Sequence, residues 1–287
     1  MRLATYAESH EPDAAAHVGV VLGERIVRVP GVADMLDFIA QGDASRAAAA
    51  RLDASAGVAL ASVRLLAPIP APRRNVMCVG LNYADHVAES KSVVGADAPK
   101  FPTFFSKPPS TVIGPGDTIP WHGHVTQSVD WEVELAVVIG RPGRDIAAVD
   151  ALSHVFGYTI ANDVTARDLQ QRHGQWFKGK GLDGFCPLGP VIVTADEIGD
   201  PGALDLCLRV NGVEKQRSNT QHLIFDVPRL IADLSAGMTL LPGDLLLTGT
   251  PSGTGIGRTP PEFLRPGDVV EAEIPRIGVL RNAVAAS

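Results

Sequence analysis

The sequence lacks any surplus of positive charge: 25 Lys and Arg face 32 Asp and Glu, a formal net charge of −7 at pH 7. No Lys/Arg-rich run interrupts that acidic total. Nucleic acid and anionic membranes, which demand a basic face, therefore drop out as partners. A long apolar run is also missing; Leu245-Leu246-Leu247 falls far short of the ~20 residues that cross a bilayer. Met1-Arg2-Leu3-Ala4-Thr5 has no apolar core of the signal-peptide kind, so the expected compartment is the cytoplasm. Cysteine is scarce. Cys78, Cys186 and Cys207 are odd in number and form no CxxC pair, which argues against a disulfide framework and a thiolate zinc site. Each reads as a small buried hydrophobe, with Cys186 beside the candidate site and the only one with a chance of reactivity. There is no fixed-period repeat, and no GxxxxGK[ST] loop to cradle a nucleotide phosphate.

What is present suits a large domain with a small appendage: 287 residues, 45% hydrophobic and 20% charged. His17 to Val29 carries two β-branched runs around Leu22-Gly23-Glu24-Arg25, a hairpin pattern. Met35, Leu36, Phe38 and Ile39 fall at helical spacing before Gly42. Pro68, Pro70 and Pro72 stiffen a connector, which places a boundary between a small N-terminal domain (1–70) and a main domain (71–287). Beyond it, short β-like segments dominate, with helical patterns only at Tyr83 to Glu89, Val164 to Gln171 and Phe225 to Leu234. Many short strands and few helices predict a mixed α/β, β-rich fold, a sandwich or roll with flanking helices.

Within it, Trp131 to Ile139 should be a strand, and a period of two puts Glu132 and Glu134 on one face. A lone Glu-x-Glu is ordinarily a solvated edge. Here the strand continues into an unbroken apolar stretch, which implies burial, and paired carboxylates are costly to bury unless a cation compensates. Thr159-Ile160-Ala161-Asn162-Asp163 is a second apolar strand ending in a carboxylate, and Lys180 lies in a Gly-rich loop, 179–184. Three oxygen ligands without His or Cys suit a hard cation: Mg²⁺, Mn²⁺ or, in a crystal, Ca²⁺.

Together these segments resemble the fumarylacetoacetate hydrolase family from about residue 72 to the C-terminus. The landmarks are Val79-Gly80-Leu81-Asn82-Tyr83-Ala84-Asp85-His86, Asp130-Trp131-Glu132-Val133-Glu134-Leu135-Ala136 and Ala161-Asn162-Asp163-Val164-Thr165-Ala166-Arg167-Asp168. Lys180-Gly181-Leu182-Asp183-Gly184-Phe185-Cys186-Pro187-Leu188-Gly189-Pro190 and Thr248-Gly249-Thr250-Pro251 complete them. Five ordered motifs make the signal specific. The resemblance implies a mixed β-sandwich roll with a small N-terminal α+β domain, a homodimer, and Mg²⁺ or Mn²⁺ on Glu132, Glu134 and Asp163. Gly181 departs from the family's more common Ser after the lysine, and Ser90 to Lys100 looks like an insertion in a lid.

The same resemblance assigns roles that the residues alone leave open. His86 and Glu89 share a helix face, an ordinary surface ion pair or a water-activating dyad; the match favours the dyad. Arg167 and Gln170 fit one side of a helix starting after Asp163, and the match turns them toward substrate, as carboxylate clamp and hydrogen-bond donor. Lys180 then stabilises developing negative charge, and Thr250 donates to a substrate carboxylate, although turn chemistry explains Thr250 nearly as well. Trp176 packs or walls the pocket. The expected substrate is a small 2-oxo acid, and the expected reaction is C–C hydrolysis of a 2,4-dioxo acid (an acylpyruvate or fumarylpyruvate type) through an enolate. Isomerisation or decarboxylation of hydroxymuconate-type intermediates, or oxaloacetate decarboxylation or tautomerisation, uses the same enolate chemistry and is the alternative.

Overall fold

The computed structural model describes residues 1–9, 11, 14–94 and 99–286 of the chain. The lid expected at Ser90–Lys100 lies outside the described residues except for the helical backbone to Val94 and the last two positions. Among the described residues, no helix is long and apolar enough to cross a membrane.

The fold is mixed α/β and rich in strands. One sheet has a main path running Val58–Ala59, Arg25–Arg28, His17–Leu22, Arg2–Ala7, Cys186–Thr194, Val155–Asn162, Val133–Ile139, Leu245–Leu247, Val76–Gly80, Thr103–Lys107. The predicted hairpin is there, with Leu22 opposite Arg25. A second sheet takes Val213–Asn219, Asp205–Val210, Val269–Ile274, Gly278–Ala285 and Ile119–Pro120.

The alternation of strand Val133–Ile139 explains the layering. Leu135 and Val137 share a buried cluster with Leu206, Leu208, Val270 and Ala272 of the second sheet, so the two sheets pack face to face. Ala136 and Val138 face the other way, into a cluster with Met35, Phe38 and Phe156 under the helix Met35–Ala40. Every residue of the strand is buried. A strand covered on both faces reads as a continuous apolar run, as this one does from Leu135 onward. Glu134 is thus forced into a dry layer.

Three local expectations are corrected. The strand starts at Val133, not Trp131, because side chains replace the ladder just before it: Asn162 Oδ1 accepts from Glu132 N (2.9 Å) and Gln216 Oε1 from Val133 N (2.9 Å). No helix follows Asp163 directly; Thr165–Ala166 first pairs with Val129–Asp130, and the helix runs Arg167–Arg172. Lys180 ends a short helix, Phe177–Lys180, that packs on the strand Thr103–Lys107, where the sequence predicts a Gly-rich loop.

Candidate active site

The end of strand Val155–Asn162 and the start of strand Val133–Ile139 bring three carboxylates together. Ligand oxygens of Glu132, Glu134 and Asp163 lie within 4.8 Å of one another, and all three residues are buried. Register explains the meeting: the strands are antiparallel with Val133 opposite Asn162, and Asp163 N donates back to Glu132 O (2.9 Å).

The carboxylates differ in their partners. Lys180 Nζ donates to Glu132 Oε2 (2.8 Å) and Asp163 Oδ2 (2.6 Å), and an Arg167 Nη pairs with Glu132 Oε1 (2.6 Å). Burial alone would raise Glu132, but the charges of Lys180 and Arg167 override it and hold the group well below the ordinary carboxylate range. Burial likewise opposes the Lys180 charge, yet Asp163 and Glu132 keep its pKa above the ordinary lysine value. Glu134 has no ion pair among the described residues; it accepts from Gly249 N (2.6 Å). Burial, then the charges of Asp163 and Glu132, push it well above the ordinary carboxylate range. A buried carboxylate short of positive charge, beside two others and with no soft donor, fits a hard dication.

A cavity of about 340 Å³ opens over this cluster, lined by Glu132, Glu134, Lys180, His86, Arg167, Gln170 and Thr250 on its polar side. Leu81, Phe105, Trp176 and Ile256 give it an apolar wall. Asp163, fully buried, is not part of the lining. Of the residues given a catalytic, metal-binding or substrate-binding role from the sequence, the structure gathers all but Glu89 and Asp163 around one cavity, and each of those two bonds a lining residue.

His86 and Glu89 sit on the helix Ala84–Val94, and His86 Nδ1 lies 3.2 Å from Glu89 Oε2. Since a carboxylate only accepts, Nδ1 carries the proton, so in the neutral ring Nε2 is the nitrogen that holds the lone pair. Glu89 also accepts from Gly253 N (3.0 Å) and Thr254 Oγ1 (3.1 Å). Burial tends to raise its pKa, but the hydrogen bonds from His86, Gly253 and Thr254 bring it below the ordinary value.

Other side chains do more protein bonding than expected. Arg167 Nε donates to Asp130 Oδ2 (2.8 Å), and Nη1 donates to Gln170 Oε1 (3.2 Å), so this clamp is itself clamped. The hydroxyl proton of Thr250 goes to Val133 O (2.9 Å), and its oxygen accepts from Gln216 Nε2 (2.8 Å). Asp183 is exposed and does not orient Lys180, which the two carboxylates hold. Burial pushes the Cys186 thiol up to about 12, so it stays protonated and unreactive. Trp176 is on the wall, edge-on to Phe105 with ring centroids 5.3 Å apart.

Two buried residues, Lys107 and Gln216, lie outside every motif, and a third, Asp130, opens a motif without a role assigned to it. Asp130 continues the parity of Glu132 and Glu134, and Lys107 is a charge ending the strand Thr103-Phe104-Phe105-Ser106, the sign that marks Asp163. Gln216 sits among Glu214, Lys215 and Arg217, and nothing in that polar run signals its burial.

A family model described as "Fumarylacetoacetate (FAA) hydrolase C-terminal" matches residues 75–285. The oxaloacetate tautomerase YisK of Bacillus subtilis is 47% identical over 266 residues, covering 89% of this chain and 87% of that protein. The mitochondrial oxaloacetate tautomerase FAHD2A of Homo sapiens is 47% identical over 254 residues, 87% of this chain and 79% of its own. Among solved structures, a fumarylacetoacetate hydrolase from Exiguobacterium antarcticum superposes with a TM-score of 0.87 at 43% identity, with 100% of both chains covered. A maleylpyruvate hydrolase from Sphingobium sp. SYK-6, solved with manganese(II) and pyruvate, gives 0.81 at 32% identity, again with 100% of both chains covered. The chain is an enzyme of the fumarylacetoacetate hydrolase family.

Proposed function

We propose that this enzyme interconverts the keto and enol forms of a 2-oxo dicarboxylic acid, with oxaloacetate as its substrate. The observation that carries the reading is the place of His86: an imidazole, its ring fixed through Nδ1 by Glu89, on the wall of a small cavity that Glu132, Glu134 and Lys180 also line. Tautomerisation needs one proton moved at C3, one moved at the C2 oxygen, and charge stabilised at that oxygen in between. The named relatives choose the substrate, since two proteins 47% identical to this chain are oxaloacetate tautomerases.

Glu132, Glu134 and Asp163 would hold Mg²⁺ or Mn²⁺, which when bound supplies positive charge that favours the enolate over its ketone. The protein's own part is then as follows. His86 Nε2 takes the C3 proton and Lys180 Nζ delivers one to the C2 oxygen to give the enol. In the other direction the enol O–H returns its proton to Lys180 and the imidazolium returns one to C3. Glu89 keeps Nδ1–H in place and stabilises the imidazolium. Lys180 and Arg167 supply further positive charge to an anionic substrate. The apolar wall of Leu81, Phe105, Trp176 and Ile256 excludes water, which strengthens each of these interactions.

C–C hydrolysis, placed first on the sequence, now stands second. It needs water activated by the same dyad and draws its support from the solved maleylpyruvate hydrolase at 32% identity. The deciding assay follows enol loss from oxaloacetate after EDTA treatment and after Mn²⁺ is restored, with pyruvate and CO₂ quantified, and acetylpyruvate and fumarylpyruvate run in parallel. Mn²⁺-dependent enol loss without pyruvate release is expected. Pyruvate from the acylpyruvates, with no acceleration of enol loss, overturns the proposal in favour of hydrolysis.

A further inference from the structure

Lys107 is completely buried, yet no step above uses it. Its Nζ donates to Asp163 Oδ1 (2.5 Å) and to the carbonyl of Val164 (3.0 Å), the residue that follows Asp163. The lysine thus grips the carboxylate and the adjacent backbone at once. Lys180, by contrast, donates to the other oxygen of Asp163 and to Glu132, and it lines the cavity. The two ammonium groups divide one carboxylate between a closed side and an open side.

Charge gives this division a meaning. Arg167 pairs with both Asp130 and Glu132; counted against Asp130, it leaves Glu132, Glu134 and Asp163 with three negative charges when all are ionised around a cation. A dication alone leaves one of them uncompensated, and either lysine could supply the balance. Lys107 has no exposed surface and two protein acceptors, so it stays where it is. Lys180 is at the cavity, 5.0 Å from the centroid of the Phe105 ring, and can leave its carboxylates for a new anion without crossing the core.

We propose that Lys107 is the fixed positioning residue of the site: it holds Oδ1 of Asp163 so that Oδ2 faces the cation position, and its charge balances the triad so that Lys180 is released to the substrate. Without Lys107, the Asp163 carboxylate can rotate about its Cβ–Cγ bond, and Lys180 becomes the sole ammonium in contact with it. Both changes compete with a cation for the same oxygen. Partners that orient ligating carboxylates typically contribute 10- to 100-fold to metal affinity, so a loss of roughly that size is expected.

The inference rests on reading the carboxylates as a cation site, and the test separates the two. Mn²⁺ binding is measured by titration calorimetry and electron paramagnetic resonance on wild type, Lys107→Met, Asp163→Asn and the double variant, with thermal melts for folding. Wild type that takes up no Mn²⁺ removes the cation site itself. If wild type binds, the proposal expects Lys107→Met to bind roughly 10- to 100-fold more weakly, with an altered Mn²⁺ spectrum. It also expects the double variant to be no worse than Asp163→Asn, because Lys107 acts through Asp163. Unchanged or tighter binding by a folded Lys107→Met overturns it, as does full additivity. Should Lys107→Met fail to fold, a crystal structure of the Mn²⁺-loaded wild type decides. Lys107 still on Asp163 with Lys180 detached supports the proposal; Lys107 displaced, or Lys180 still bridging both carboxylates, overturns it.

Discussion

Arg167 Nε donates to Asp130 Oδ2 at 2.8 Å, and the same carboxylate accepts the backbone N–H groups of Gly255 (2.7 Å) and Ile256 (3.0 Å). One buried side chain therefore ties the helix Arg167–Arg172 to the loop that places Ile256 on the cavity wall.

Asp130→Asn should break that tie. The amide must point its NH₂ either at the guanidinium or at two backbone N–H donors, and the buried Arg167 loses a counter-charge. Removing one partner of a buried pair costs about 3–5 kcal/mol, which a denaturant-unfolding curve will register. A loss below about 1 kcal/mol would mean that Glu132 alone satisfies Arg167.

Glu89→Gln should lower turnover by about 100-fold, within the range for a general base, while Mn²⁺ affinity stays as in wild type. The amide oxygen of the variant could still accept from Gly253 N, so the fold should persist. Steady-state kinetics beside Mn²⁺ titration gives the answer, and unchanged turnover rejects the dyad.

The raised pKa of Glu134 predicts opposite pH trends for the cation-free and cation-loaded protein. Without a cation, the folded state keeps a proton on Glu134 that the unfolded chain releases near its ordinary value of 4.5. Stability from this group is complete below that value and is lost as pH rises through the higher folded pKa. A cation must displace the proton, so its affinity and its stabilising effect rise over the same window. Melts across this range should show the gap between Mn²⁺-loaded and EDTA-treated protein widening with pH; a constant gap would refute the assignment.

Gly80→Ala should act through Trp176. A Cβ on Gly80 would overlap the six-membered ring of Trp176, whose far end must swing away from the wall. The expected cost is about 1–3 kcal/mol in the wild type. It should shrink in a Trp176→Ala background, which two further unfolding curves will establish, and equal costs in both would mean the clash is relieved elsewhere.

Much of the site was legible because its chemistry violates its surroundings. Glu134 interrupts an apolar run, and Asp163 ends one; burial plus charge is readable wherever a strand is covered on both faces. What stayed hidden depends on long-range partners. The strand Val213–Asn219 reads Val-Glu-Lys-Gln-Arg-Ser-Asn, with no apolar alternation, because it is an edge strand held by Asp205–Val210 on one side. Gln216 escapes notice there, although its amide bonds Val133 N, Thr250 Oγ1 and Pro251 O. The helix expected after Asp163 was displaced by a pairing between Asp130 and Thr165 that no local pattern announces.

The seam between Arg2–Ala7 and Cys186–Thr194, with Leu3 opposite Ile192, has a consequence for synthesis. Arg64 and Leu65 cover Ala7 and Tyr6 of that edge, but Arg2 and Leu3, translated early, wait bare for a partner translated late. The strand that finally covers it also flanks Val155–Asn162, whose end leads into Asp163. Closing that seam and building the reaction centre therefore draw on one and the same late-translated strand.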